Sequence, residues 1–198
     1  MSGIYCILTI SLFACTQPAE KTAVLAFQPI IIPNKTVMVT DILLRLENGI
    51  YKYNGQLFSG YLQTNYPAGN IKSIQSFYNG KNEGWANEFF ESGNKLSIRN
   101  YHLGEKDSVH TGWWDNGNLR FIYHFKNGSY NGDFKEFYSN GKPLKTILYN
   151  NGKDSCGFGW RENGKPFMNY VNRDGRRYGL MNAQLCYSLI KEQGNYKK

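Results

Sequence analysis

Histidine is scarce in this chain, and its placement points to no reactive centre. The three histidines among 198 residues, His102, His110 and His124, have no spacing typical of a metal site. No Cys-x-x-Cys pair, phosphate-binding glycine loop or Ser-His-Asp frame is present. The expectation is therefore no cofactor, no metal and no catalytic residue, with an enzyme last among the function classes. Long apolar runs are missing too. The run over residues 4 to 14 suits a signal-peptide core and is too short to span a bilayer. Helical periodicity is absent from the central region, which leaves strands as its building material.

What is present is a repeat. Phe77, Tyr101, Phe125 and Tyr149 recur every 24 residues, each followed three positions later by a glycine: Gly80, Gly104, Gly128 and Gly152. Tandem units of this length indicate an array. Within a unit, thirteen residues separate two turn glycines, as in Gly80 to Gly93, Gly104 to Gly117 and Gly128 to Gly141. Asn-Gly pairs stand at Asn54-Gly55, Asn79-Gly80, Asn116-Gly117, Asn127-Gly128, Asn140-Gly141, Asn151-Gly152 and Asn163-Gly164. Between apolar runs, Asn-Gly is the signature of a two-residue primed turn, which needs positive φ. The intervening stretches are rich in Phe, Tyr, Trp, Ile and Thr, a strand composition. Each unit therefore reads as strand, turn, strand, turn. In the third unit, Ser108 replaces the inner glycine.

The repeat aligns side chains in columns. One is Phe77, Tyr101, Phe125 and Tyr149; a second is Phe89, Trp113 and Phe137, joined by Trp160 if the short fifth unit is aligned from its far end; a third is Phe90, Trp114 and Tyr138. Neighbours on a strand point to opposite faces, so the second and third columns face apart. A lone hairpin is marginal in water. Stacked rungs let each aromatic cover the next, at up to about 1.5–3 kcal/mol per fully buried large side chain. Most column residues are accordingly structural. Trp85, Trp113 and Trp114 are the candidate binding residues. Trp85 has no aromatic counterpart in the next two units, and the Trp113-Trp114 pair presents one ring to each face.

The runs Gly80-Lys81-Asn82-Glu83-Gly84-Trp85 and Phe89-Phe90-Glu91-Ser92-Gly93-Asn94, with three further copies of the frame and the opening Leu57-Phe58-Ser59-Gly60, resemble the variant MORN (membrane occupation and recognition nexus) repeat family. Such arrays occur in bacterial proteins of the YwqK type, often labelled antitoxin-like. The resemblance covers about residues 44 to 179. It implies an all-β fold: an elongated single-layer antiparallel sheet of repeated hairpins. It implies protein or membrane association rather than catalysis, and it supplies no partner.

Leu12-Phe13-Ala14-Cys15 resembles a bacterial lipobox, which implies acylation at Cys15 and removal of residues 1–14. Several acyl chains give stable anchoring. The leading Met1-Ser2-Gly3 carries no Lys or Arg, a departure from the usual signal. The alternative is an N-terminus that is merely apolar. By resemblance to enteric lipoproteins, Thr16 in place of Asp favours the outer membrane. The organisation expected is a signal peptide over 1–14, a lipidated tether and lead-in over 15–43, the array over 44–179, and a terminal cap or tail over 180–198.

After such processing, Cys156 and Cys186 would be the remaining thiols. A bond between them would staple the tail to the fifth unit; two separate thiols are the alternative. The formal charge of +8 is uneven, with eight Lys or Arg against three acids in residues 161–198. The cluster Arg173-Asp174-Gly175-Arg176-Arg177 would suit anionic head groups or an acidic partner, or is a solvated turn. The expected function is a non-catalytic, lipid-anchored envelope protein whose sheet binds an unidentified protein. The competing readings are a phospholipid or glycan binder, and a cytoplasmic antitoxin-like inhibitor if the signal reading fails. Nucleic acid is not an expected partner in that compartment.

Overall fold

The structure, a computed structural model, describes residues 29–181. The signal segment, the lipidation cysteine Cys15, Cys186 and the tail beyond residue 181 lie outside the described residues. Fifteen strands follow in chain order: β1 (Thr36–Met38), β2 (Leu44–Glu47), β3 (Ile50–Tyr53), β4 (Gln56–Leu57), β5 (Gly60–Asn65), β6 (Ile71–Tyr78), β7 (Lys81–Phe89), β8 (Lys95–His102), β9 (Glu105–Trp113), β10 (Leu119–Lys126), β11 (Ser129–Phe137), β12 (Pro143–Asn150), β13 (Lys153–Trp160), β14 (Pro166–Arg173) and β15 (Arg176–Met181). No helix occurs among the described residues, so the fold is all-β.

Strands β5 to β15 pair antiparallel in sequence order, hairpin after hairpin. β1 joins the free edge of β5 in parallel, with Val37 opposite Leu62, to complete a 12-stranded sheet. Residues 44–57, taken from the sequence as the opening of the array, instead form a separate three-stranded sheet, β2-β3-β4. Its turns are Asn54-Gly55 and Asn48-Gly49; the second is an Asn-Gly pair the sequence reading passed over. This small sheet closes the start of the array. Val37, Leu44, Phe58, Leu62 and Phe77 form a buried cluster against which Tyr51 and Tyr53 pack.

The Asn-Gly pairs fall into two conformational classes, which corrects the expectation of one turn type. At Asn79-Gly80, Asn127-Gly128 and Asn151-Gly152, both residues have positive φ (47° and 79° in the first). These are the two-residue primed turns of β6-β7, β10-β11 and β12-β13. Leu103 and Asp174 take the asparagine position in β8-β9 and β14-β15, at φ of 50° and 53°. At Asn116, Asn140 and Asn163 only the following glycine has positive φ. Those pairs belong to wider loops, where Trp114 N donates to Asn118 O at 2.8 Å and Gly117 N to Trp114 O at 2.9 Å. The asparagine side chain works differently there. Asn116 Oδ1 accepts from Asn118 N at 3.1 Å, and Asn140 Oδ1 from Lys142 N at 3.0 Å. Tight turns thus lie along one long edge of the sheet and wide loops along the other. Ser108 adopts φ of 57°, as the inner glycines Gly84 and Gly132 adopt positive φ, and it ends the β9-β10 pairing opposite Phe125 while the β8-β9 register shifts across it.

Candidate functional site: an aromatic trough on the front face

The register places Phe77, Tyr101, Phe125 and Tyr149 on one side of the sheet, the front. They do not stack directly, because each is two strands from the next. Residues of the intervening strands fill the two gaps between Tyr101 and Tyr149. The His110 ring lies 5.5 Å from Tyr101 and 4.5 Å from Phe125, and the Tyr130 ring lies 4.6 Å from Phe125 and 5.0 Å from Tyr149. The ladder from Tyr101 to Tyr149 therefore has five rings where the 24-residue period shows three.

β10 adds a second row. Phe121 and Tyr123 share the front face with Phe125, two residues apart. Tyr123 stacks on Phe121 at 4.4 Å and on Phe134 at 4.1 Å. Phe121 lies over Gly112, where a Cβ would run into the ring. Beside this row is a hollow of about 310 Å³, lined among others by Leu96, Arg99, Trp114, Arg120, Tyr123 and Glu136. A second, of about 280 Å³, shares Arg99, Phe121 and Tyr123 and reaches Lys106, His110 and Tyr130. The shared lining makes them two ends of one trough across β8 to β11.

Charge is arranged around the rings. The Arg120 guanidinium sits 4.8 Å from the Trp114 ring, and Lys106 and Lys145 sit 5.1 Å from Phe125 and Phe134. Arg99 pairs with Glu88 at 3.3 Å and Lys145 with Glu136 at 3.0 Å. Tyr123 Oη donates to Glu136 Oε1 at 2.7 Å. Burial, with that carboxylate beside it, raises the Tyr123 phenol well above its ordinary value, so the hydroxyl stays protonated. No buried side-chain polar atom among the described residues lacks a partner. What such a trough can do chemically is stack on flat or apolar groups and pair with charges at its rim.

His110 is 2% exposed, and its Nε2 donates to Asn100 O at 2.7 Å. Burial pushes its pKa below the ordinary imidazole value, the carbonyl bond offsets part of that, and Arg99 and Lys106 lower it further while Asp107 opposes them. Because the folded state disfavours the proton, stability is complete above the unfolded imidazole pKa. It falls as pH drops below about 6.5, by at most about 1.4 kcal/mol per pH unit until the folded pKa is reached. Urea unfolding at pH 7.5 and pH 5 should show a loss at pH 5 that His110→Gln reduces.

The residues singled out from sequence do not converge. Trp114 lines the trough, and its Nε1 donates to Phe137 O at 3.1 Å. The same linkage recurs at Tyr138 Oη to Trp160 O, 3.0 Å, so this column also ties neighbouring wide loops together. Trp113 lines a separate depression of about 610 Å³ with Asn94, Lys95 and Asp115. Trp85 is 53% exposed and faces the back of the sheet, beside Asn100 across the strand pair. Arg173, Arg176 and Arg177 flank the last tight turn, but Arg177 is committed. Its Nε donates to Asp154 Oδ2 at 2.9 Å and its guanidinium lies 5.0 Å from the Tyr170 ring. That hydrogen bond holds the Asp154 carboxyl below its ordinary value. Arg173 and Arg176 are exposed. Cys156 is a half-buried free thiol on β13.

Sequence reasoning missed Arg99, Arg120, Phe121, Tyr123 and Glu136. The alternation Phe121, Tyr123, Phe125 was a usable signal, since residues two apart share a face. Fold and surface together define a repeat-like, all-β sheet protein with an aromatic front. No protein-family model and no curated protein matches the chain.

Proposed function

We propose that this is a non-catalytic, lipid-anchored envelope protein whose sheet binds another protein through the front-face trough. The observation that carries the reading is the row Phe121–Tyr123–Phe134 flanked by Arg99 and Arg120. Aromatic and arginine side chains are enriched where protein interfaces concentrate their energy. The likeness of the repeat units to MORN-type arrays supports association rather than catalysis. The lipobox-like Leu12-Phe13-Ala14-Cys15 supports the anchor.

Cross-linking and affinity capture from the native envelope test the binding half. Arg120 is exposed and touches the trough. Arg120→Glu should cut recovery of a reproducible partner about tenfold or more, since setting like charges against each other across an interface costs several kcal/mol. Its folding stability should stay within about 0.5 kcal/mol of wild type. Equal recovery by both proteins would remove the trough from the interface. Palmitate labelling tests the anchor, and label that persists in Cys15→Ala would reject it.

The exposure of Arg173 and Arg176 at the last turn favours a second reading, contact with anionic head groups at about 1 kcal/mol per basic residue. Flotation with phosphatidylglycerol vesicles, lost in Arg173→Ser/Arg176→Ser, would support it; unchanged flotation would not.

A further inference from the structure

The back of the last two hairpins is apolar and uncovered among the described residues. Leu148, Cys156, Val171 and Tyr178 stand opposite one another across β12 to β15; Phe158 and Leu180 lie on the same side, two residues along their strands, with Thr146 and Asn169 in the same row. Leu148, Phe158 and Val171 are 42–43% exposed and Tyr178 is 53% exposed. A contiguous apolar patch on a sheet face calls for an occupant. The first end of the array already has one, the small sheet packed over Phe77, and terminal repeats need caps.

We propose that the occupant is the chain's own continuation, residues 182–192, folded as one amphipathic helix across this face. The sequence beyond Met181 has the pattern for it. At about 100° per residue, Ala183, Leu185, Cys186, Leu189 and Ile190 fall on one side, and Gln184, Ser188, Lys191 and Glu192 on the other. Asn182 stands where an N-cap is favoured and Gly194 where a helix commonly ends. The dimensions agree. Three strand spacings from β12 to β15 measure roughly 14 Å, and the ten residues 183–192 measure about 15 Å as a helix. The segment starts at the correct edge, because Met181 ends β15.

The placement brings Cys186 to Cys156. Cys156 lies two strands in from β15 and level with Tyr178, three residues before Met181, so roughly 14 Å from Met181. Cys186 is five residues past Met181, about 8 Å along a helix, and a disulfide spans roughly a further 4.4–6.8 Å between Cα atoms. Both cysteines sit on the apolar sides that would meet.

Mild treatment of the full chain with oxidised glutathione reads this out. The two thiols lose two protons and two electrons to form one disulfide, and one glutathione disulfide is reduced to two glutathiones. Peptide mapping should recover Cys156 joined to Cys186 within one chain, distinct from any pair with Cys6 or Cys15. Leu185→Asp/Leu189→Asp should slow that pairing about tenfold or more, because it places charge in the contact. Hydrogen exchange should show amides 184–190 protected in wild type and unprotected in the double variant. Exchange at the unprotected rate in wild type overturns the proposal. So does a Cys156–Cys186 bond found only between chains, which assigns the face to a second copy. Glutathione attached to Cys156 with no intrachain bond counts against it equally.

Discussion

Phe58→Ala should lower the stability of this protein by about 3–5 kcal/mol, the range for deleting a buried aromatic side chain. Phe58 is 2% exposed, in the cluster that joins the small sheet to the main one. Its ring lies 6.3 Å from Tyr53 and 6.2 Å from Phe77, one partner in each sheet. Its backbone is part of the same joint, for Phe58 N donates to Tyr51 O at 3.0 Å and Gly80 N donates to Phe58 O at 2.6 Å. Little around it can collapse into the space left, because both neighbouring backbones are held by those bonds. Urea unfolding provides the measurement. The adjacent Leu57→Ala serves as reference, since Leu57 is 54% exposed and should change stability by no more than about 0.5 kcal/mol. Similar values for both variants would show that the small sheet is not a core element.

Gly80→Ala should cost about 2–5 kcal/mol, well beyond the same change at Gly164. Both glycines have φ near 80°, and an L side chain in that region costs roughly 1–2 kcal/mol. The surroundings differ. Around Gly164 there is open space, so the conformational cost stands alone. At Gly80 a Cβ would collide with Ile50 Cγ2 and lie 2.6 Å from Tyr51 O. Tyr51 cannot yield cheaply, because its N–H donates to Gly80 O at 2.9 Å. Overpacking of that kind adds roughly 1–3 kcal/mol. Melting temperatures of the two variants decide the matter, and equal shifts would mean that the small sheet can move away from the first turn.

Both variants test the joint between the two sheets, which is where reading the sequence fell short. Asn79-Gly80 and Asn116-Gly117 are the same dipeptide, yet one is a primed turn and the other part of a wide loop. The difference lies in which residues pair across the hairpin, and the dipeptide does not carry that information. Arg177 reads as one of three equivalent arginines until the pairing of β13, β14 and β15 brings it to Asp154. His110 has no aromatic neighbour in sequence, but the β9-β10 pairing slots it between Tyr101 and Phe125.

The sequence by itself determined the element type, the order of the hairpins and the tight turns at Asn79-Gly80, Asn127-Gly128 and Asn151-Gly152. Those depend on local properties, the two-residue alternation of strands and the tolerance of asparagine and glycine for positive φ. Tertiary structure alone decided that residues 44–57 leave the array to cap it, that β1 pairs in parallel, and that Arg99, Arg120, Phe121 and Tyr123 gather in one trough. Each of those outcomes is set by contacts between strands distant along the chain, where burial and cross-strand packing choose among arrangements that local conformational preference leaves equal.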